Sequence, residues 1–211
     1  MNRPTLDEIA HREKNPELWT DKKSHTPGYL CHDYLRIYER EFSKWRDDEI
    51  QILEIGVNRG ASIKVWLQYF TYASIYGVDI NAFKNEVGIP ADTERFKFFQ
   101  GDACDGRLWD NLFGHKPFPM LDIVIDDGAH FSGPIQQAFR HLWPRVVPGG
   151  CYCIEDISEV KNPESHTPGF TDQLEFVRGF VGPVIFGMND IDEMMVLKNL
   201  CILRKKSLLS T

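Results

Sequence analysis

Gln51-Ile-Leu-Glu-Ile-Gly-Val-Asn-Arg-Gly60 is a short apolar run that stops at an acid and two glycines. Ile52, Leu53 and Ile55 put apolar side chains on both faces, as a central parallel strand covered by helices requires. Gly56 lets the chain turn tightly, and Gly60 is expected to let a ligand or another backbone come close. In the following Ser62-Ile-Lys-Val-Trp-Leu-Gln-Tyr-Phe70, residues Ile63, Trp66, Leu67 and Phe70 fall at i, i+3, i+4 and i+7, one apolar helical face. A strand, a glycine-rich turn and a helix form the opening unit of a doubly wound sheet.

The chain continues in the same alternation. Ser74–Asp79, Phe96–Gln100 and Leu121–Ile125 read as further strands, and the turn Val147-Pro-Gly-Gly150 leads into strand Cys151–Ile154. Pro134 opens a helix with Ile135, Ala138, Phe139 and Leu142 on one face, and Thr171 or Asp172 caps another carrying Leu174, Val177 and Phe180. Val184–Met188 and Met194–Leu203 are expected to close the sheet as a hairpin around residues 189–193. Before the sheet, Leu35, Tyr38, Phe42 and Trp45 form a stripe that predicts a helix from about Tyr29 to Trp45. Residues 158–170 read as a flap. The reading is a single α/β domain, with a helical cap over residues 1–48 and a Rossmann-like core over 49–211.

Composition narrows the class. A chain of 211 residues with 42% hydrophobic and 26% charged residues can bury a sizeable core. A net charge of −7 argues against a nucleic-acid partner. Neither a signal-peptide core nor a membrane-length apolar run is present, so the expected setting is cytoplasmic with no membrane contact. The 5 cysteines are odd in number and dispersed, which suits reduced thiols; Cys151 and Cys153 lack the second pair that a zinc site needs.

The spacing of the opening turn indicates which nucleotide would bind. A dinucleotide site would need glycine at Asn58, whereas Glu54-x-Gly56-x-x-x-Gly60 resembles the first motif of class I S-adenosylmethionine-dependent methyltransferases. That resemblance implies a seven-stranded sheet, six strands parallel and the last antiparallel. It also implies cofactor contacts from Glu54, Gly56, Asn58, Gly60, Ser62, Asp79, Ile80, Asp102 and Ala103. A carboxylate at Asp79 can accept ribose hydroxyls and Asp102 can meet the adenine amino group, although taken singly each acid could equally cap a helix. If the first and fourth strands flank the point where strand order reverses, Asp127, His130, Glu155 and Asp156 converge there. Clustered carboxylates repel one another unless a cation sits among them, and oxygen ligands suit Mg²⁺.

Asp126-Asp-Gly-Ala-His130, with Glu155-Asp156 after the next strand and Thr20-Asp-Lys22 followed by His32-x-Tyr34, resembles the metal-dependent sugar O-methyltransferases of antibiotic biosynthesis, a family that extends to cephalosporin-hydroxylase-like proteins. The resemblance spans roughly residues 18–205. It implies Asp127, Glu155 and Asp156 as metal ligands, His130 as the base and Asp126 facing the cofactor's amino group. Ala129 stands where the family usually has serine, and the spacing from Thr20-Asp-Lys22 to His32 is longer than usual. The implied partner is a small-molecule hydroxyl acceptor, a sugar or glycoside; a homo-oligomer is compatible with the pattern. A metal-independent small-molecule methyltransferase and a non-catalytic cofactor-binding module stay open as alternatives. His11, His25, His115, His141 and His166 are expected at the surface or in loops, and Trp66, Trp143 and Phe96–Phe99 in the core.

Overall fold

The apolar run at residue 51 becomes the middle of a seven-stranded sheet in the computed structural model, which describes residues 3–25, 31–114, 118–157 and 169–207. The strands are β1 (Gln51–Ile55), β2 (Ser74–Asp79), β3 (Phe96–Gln100), β4 (Leu121–Asp126), β5 (Val146–Ile154), β6 (Ile191–Leu197) and β7 (Leu200–Lys205). They lie in the order β3-β2-β1-β4-β5-β7-β6. β1 to β5 pair in parallel, and β7 runs antiparallel to both β5 and β6. Strand order reverses between β1 and β4, which puts the ligand-binding crevice outside their carboxyl ends.

Helices cover both faces, and strand parity decides what each face buries. α1 (Leu6–Ala10), α2 (Tyr34–Phe42) and α3 (Ala61–Tyr69) pack with Ile52, Ile123, Ile125, Cys151 and Cys153. α4 (Gly106–Gly114), α5 (Ser132–Leu142) and α6 (Gln173–Arg178) belong to the other face, where Leu53, Ile55, Val124, Tyr152 and Ile154 point. The first helix is closed by a capping box between Thr5 and Glu8. The Glu39 carboxylate then accepts from the Leu6 amide and the Tyr69 hydroxyl, both at 2.8 Å, joining α1, α2 and α3. Trp66 and Phe96 are fully buried and Trp143 nearly so, as the sequence suggested. Cys151, Cys153 and Cys201 are buried free thiols. Among the described residues no helix is long and apolar enough to cross a membrane.

The end of the chain departs from the sequence reading. Val181–Ile185 forms a short helix, α7, where a strand over 184–188 was expected. Local i→i−4 bonds from Val184 to Phe180 and from Phe186 to Gly182 take the backbone donors, and Gly187 at φ 63° ends the turn. The closing hairpin therefore turns at Lys198-Asn199, with Leu197 opposite Leu200, instead of around residues 189–193. Two further boundaries move. β5 starts at Val146 and absorbs the Pro-Gly-Gly stretch through a register shift. α2 starts at Tyr34 after Asp33 at φ 64°, a backbone that cannot continue a helix backwards. Residues 158–168 of the flap expected over 158–170, and the helix start expected at Tyr29, lie outside the described residues.

Candidate active site

The carboxyl ends of β1, β4 and β5 are held side by side. The Asp127 amide donates to the Ile55 carbonyl at 3.1 Å and the Glu155 amide to the Asp126 carbonyl at 3.0 Å, so the ladder extends past the strands. Gly56 turns at φ 85°, and a Cβ there would lie 1.9 Å from the Asp127 carbonyl oxygen. Only glycine lets these two chain ends touch.

Beside this junction lies a cavity of about 610 Å³. Of the positions expected to bind the cofactor, Gly56, Asn58, Ser62, Asp79, Ile80, Asp102 and Ala103 line it. The Asp79 carboxylate is fixed by the Asn58 and Asn81 amides, each at 2.9 Å, which aims it at the cavity as a rigid acceptor. Three expected positions do not reach the cavity. Glu54 is fully buried in β1, accepting from the Trp66 indole at 2.8 Å. Gly60 is buried against Phe83 and Val87, so its missing side chain admits neighbouring side chains and not a ligand. Asp126 points to the opposite face and accepts from the Tyr152 hydroxyl at 2.9 Å; burial pushes its carboxyl up to about 7.

Parity also places the remaining acids. Glu54, Asp127 and Glu155 share the face of the N-terminal helices, and Lys22 enters from that side. Its ammonium is bonded to Asp127, is 2.8 Å from Glu155 and 3.6 Å from Glu54, and is 1% exposed. Burial opposes the charge on Lys22, but the attraction of Asp127, Glu155 and Glu54 outweighs it and holds its pKa well above the usual lysine value. Burial also raises the carboxyls of Asp127, Glu155 and Glu54, despite the lysine beside them. The second oxygen of Glu155 accepts from the Tyr38 hydroxyl at 2.7 Å.

Of the three expected metal ligands, Asp127 and Asp156 come together around His130, the expected base, with one ligand atom of each within 4.8 Å of the others. Glu155 stays beneath, held by Lys22 and Tyr38. The His130 imidazole is 42% exposed and lies between Asp127 and Asp156, its Nε2 and Nδ1 each 3.8 Å from a carboxylate oxygen. Asp156 leaves β5 at φ 53° and is steadied by the Tyr34 hydroxyl at 2.8 Å. His32 stacks on Tyr34 with its Nδ1 3.6 Å from Asp156 and its Nε2 3.8 Å from Asp21.

The N-terminal segment carries more of the site than its residues suggest. Read physically, Thr20–His25 is a capped loop before a helix; in the structure Trp19, Thr20, Asp21 and Lys22 line the cavity. Three backbone bonds pin the loop to the start of α2, from His32, Asp33 and Leu35 to the carbonyls of Asp21, Lys23 and Lys22. The only sequence signal for this was the Thr-Asp-Lys and His-x-Tyr pattern itself. Of the other histidines, His11 and His25 are exposed and His141 is half-buried, while His115 and His166 lie outside the described residues.

No family model matches the chain. It is 32% identical over 180 residues to mycinamicin VI 2''-O-methyltransferase of Micromonospora griseorubida, covering 82% of this chain and 40% of that protein. It is 34% identical over 163 residues to demethylmacrocin O-methyltransferase of Streptomyces fradiae, covering 74% of this chain and 37% of that protein. Among solved structures, the MycE methyltransferase of the mycinamycin pathway, in complex with Mg, SAH and mycinamycin VI, superposes with a TM-score of 0.80 at 26% identity, covering 99% of this chain and 56% of that one. The chain thus spans less than half the length of the curated relatives that it matches.

Proposed function

The chain belongs to the class I S-adenosylmethionine-dependent methyltransferases, where its relatives are macrolide and sugar O-methyltransferases, and from this premise we propose that it methylates a hydroxyl of a sugar or glycosylated small molecule with the help of Mg²⁺. The observation that carries the reading is the grouping of Asp127, His130 and Asp156, two of which, Asp127 and His130, line the same cavity as Asp79 and Asp102.

The donor set fits a hard divalent ion. Asp127 and Asp156 offer carboxylate oxygens. The buried Glu54 and Glu155 share a single lysine ammonium with Asp127, so acids outnumber cations here. Glu54 Oε1 faces the same ammonium at 3.6 Å. Asp127 and Asp156 would hold the ion, with an oxygen of Glu155 beside them.

When bound, S-adenosylmethionine supplies an activated methyl group, and Mg²⁺ supplies positive charge beside the acceptor oxygen. The chain does the rest. Asp79, fixed by two backbone amides, and Asp102 offer acceptors to the nucleoside end. His130 takes the hydroxyl proton on an imidazole nitrogen, and the carboxylates of Asp127 and Asp156 stabilise the imidazolium that results. Trp19, Thr20 and Asp21 wall the cavity from the N-terminal side.

The test is methyl transfer from labelled S-adenosylmethionine to a panel of glycosides, with and without EDTA. Transfer that EDTA abolishes and Mg²⁺ restores is expected. Transfer indifferent to EDTA would favour a metal-free methyltransferase; tight cofactor binding without transfer to any acceptor would favour a binding module.

Tyr34→Phe is expected to weaken Mn²⁺ binding by about ten-fold, because partners that orient a ligand typically matter to that degree. The hydroxyl removed is the one that holds Asp156, and the ring packing is retained. Unchanged affinity by electron paramagnetic resonance would show that Asp156 does not depend on Tyr34.

A further inference from the structure

We propose that Lys22 is an internal counter-ion that sets the divalent-metal affinity of this site, holding it below what the carboxylates alone would give. The inference rests on the reading that Asp127 and Asp156 hold a divalent ion. Lys22 has one ammonium for three acids, and it is bonded directly to Asp127, an acid in that ligand group. At 1% exposure for Lys22, 0% for Glu54 and 1% for Glu155, water screens these charges poorly.

The backbone at Lys22 is also anchored. The Lys22 carbonyl accepts from the Leu35 amide at 2.9 Å in the first turn of α2, and its own amide donates to Thr20 Oγ1 at 3.3 Å. These bonds fix the backbone that carries the side chain, and Asp127 and Glu155 hold the ammonium itself. A divalent ion that binds Asp127 therefore meets a like charge at close range, and Asp127 and Glu155 divide their lone pairs between ion and ammonium. Lys22 keeps the buried acids tolerable in the fold and makes the ion exchangeable. The N-terminal segment thus takes part in the electrostatics of the site as well as in enclosing the cavity.

The experiment measures Mn²⁺ affinity by electron paramagnetic resonance for the full chain and for Lys22→Met, Lys22→Gln and Lys22→Arg, with melting temperatures in EDTA and in Mg²⁺. Lys22→Met is expected to bind Mn²⁺ tighter by about ten-fold or more, since a nearby positive charge is removed. Its gain in melting temperature from Mg²⁺ should exceed that of the parent. Lys22→Arg, which keeps the charge, should stay within about three-fold of the parent. A merely structural lysine would give the opposite sign, so equal or weaker binding by Lys22→Met overturns the proposal. If Lys22→Met folds only with Mg²⁺, the proposal stands; if it folds in neither condition, Lys22→Gln decides by the same affinity comparison. Failure of both neutral variants to fold in Mg²⁺ also overturns it, because the ion should replace the missing charge. A parent chain that binds no Mn²⁺ refutes the metal reading itself, a separate result.

Discussion

His130→Ala should lower turnover by about 10²- to 10⁴-fold, the range a positioned proton acceptor contributes, and leave affinity for S-adenosylhomocysteine within a few-fold. The imidazole is on the cavity wall and is the group within it that can accept a hydroxyl proton while flanked by two carboxylates. Its removal leaves Lys22 on Asp127 and Tyr34 on Asp156, so the charges that would hold the ion stay in place. The backbone needs a control, because His130 sits at φ 53°, a conformation that alanine adopts at a cost of roughly 1–2 kcal/mol. His130→Asn tolerates that conformation and equally lacks a base. Both variants should therefore be slow, with calorimetric cofactor binding retained. Turnover at the parent rate in either one removes His130 from the chemistry.

The second large effect is structural. Gly56→Ala places a methyl group 1.9 Å from the Asp127 carbonyl oxygen, at φ 85°. The conformational term alone costs roughly 1 kcal/mol, and relieving the overlap means parting the ends of β1 and β4 where the Asp127 amide meets the Ile55 carbonyl. The expected loss is about 3 kcal/mol or more, a fall of roughly 6–12 °C in Tm for a chain of this size. Cofactor affinity should fall with it, since Gly56, Asp127 and Gly128 all line the cavity. Gly88→Ala provides the comparison: Gly88 has φ 76° but nothing within 4 Å of its added Cβ, so it bears the conformational cost alone. Equal melting temperatures for the two variants would show that the β1–β4 contact is not what requires glycine at 56.

Much of this is legible in the sequence. Gln51–Gly60 announced a strand, a turn and a helix, and the acids at Asp79, Asp102 and Asp127 marked strand ends that do face one cavity. The failures have particular causes. Glu54 and Asp126 sit in the same motifs as true cavity residues, but whether a strand-end acid looks into a crevice or into the core depends on its parity relative to neighbouring strands. Val184-Ile-Phe186 has β-favouring composition, yet among the described residues no strand pairs with it, and helical bonds between nearest turns leave Ile185, Phe186 and Met188 exposed. His130 and Glu155 were both expected at the chemistry, and they proved to differ in what else touches them.

By itself the sequence determined the periodicities: where apolar runs make strands, where a 3.6-residue stripe makes a helix, and which glycines and acids stand at strand ends. Those are local properties, set by backbone geometry and side-chain type within about ten residues. Only the tertiary structure decided that Lys22, more than 100 residues from Asp127 and Glu155, would meet both of them. Register across β1, β4 and β5 brings Glu54, Asp127 and Glu155 to one face, and charge balance in a buried space then depends on whichever segment packs there. No local pattern encodes that, because electrostatic energy follows distance in space and not separation along the chain.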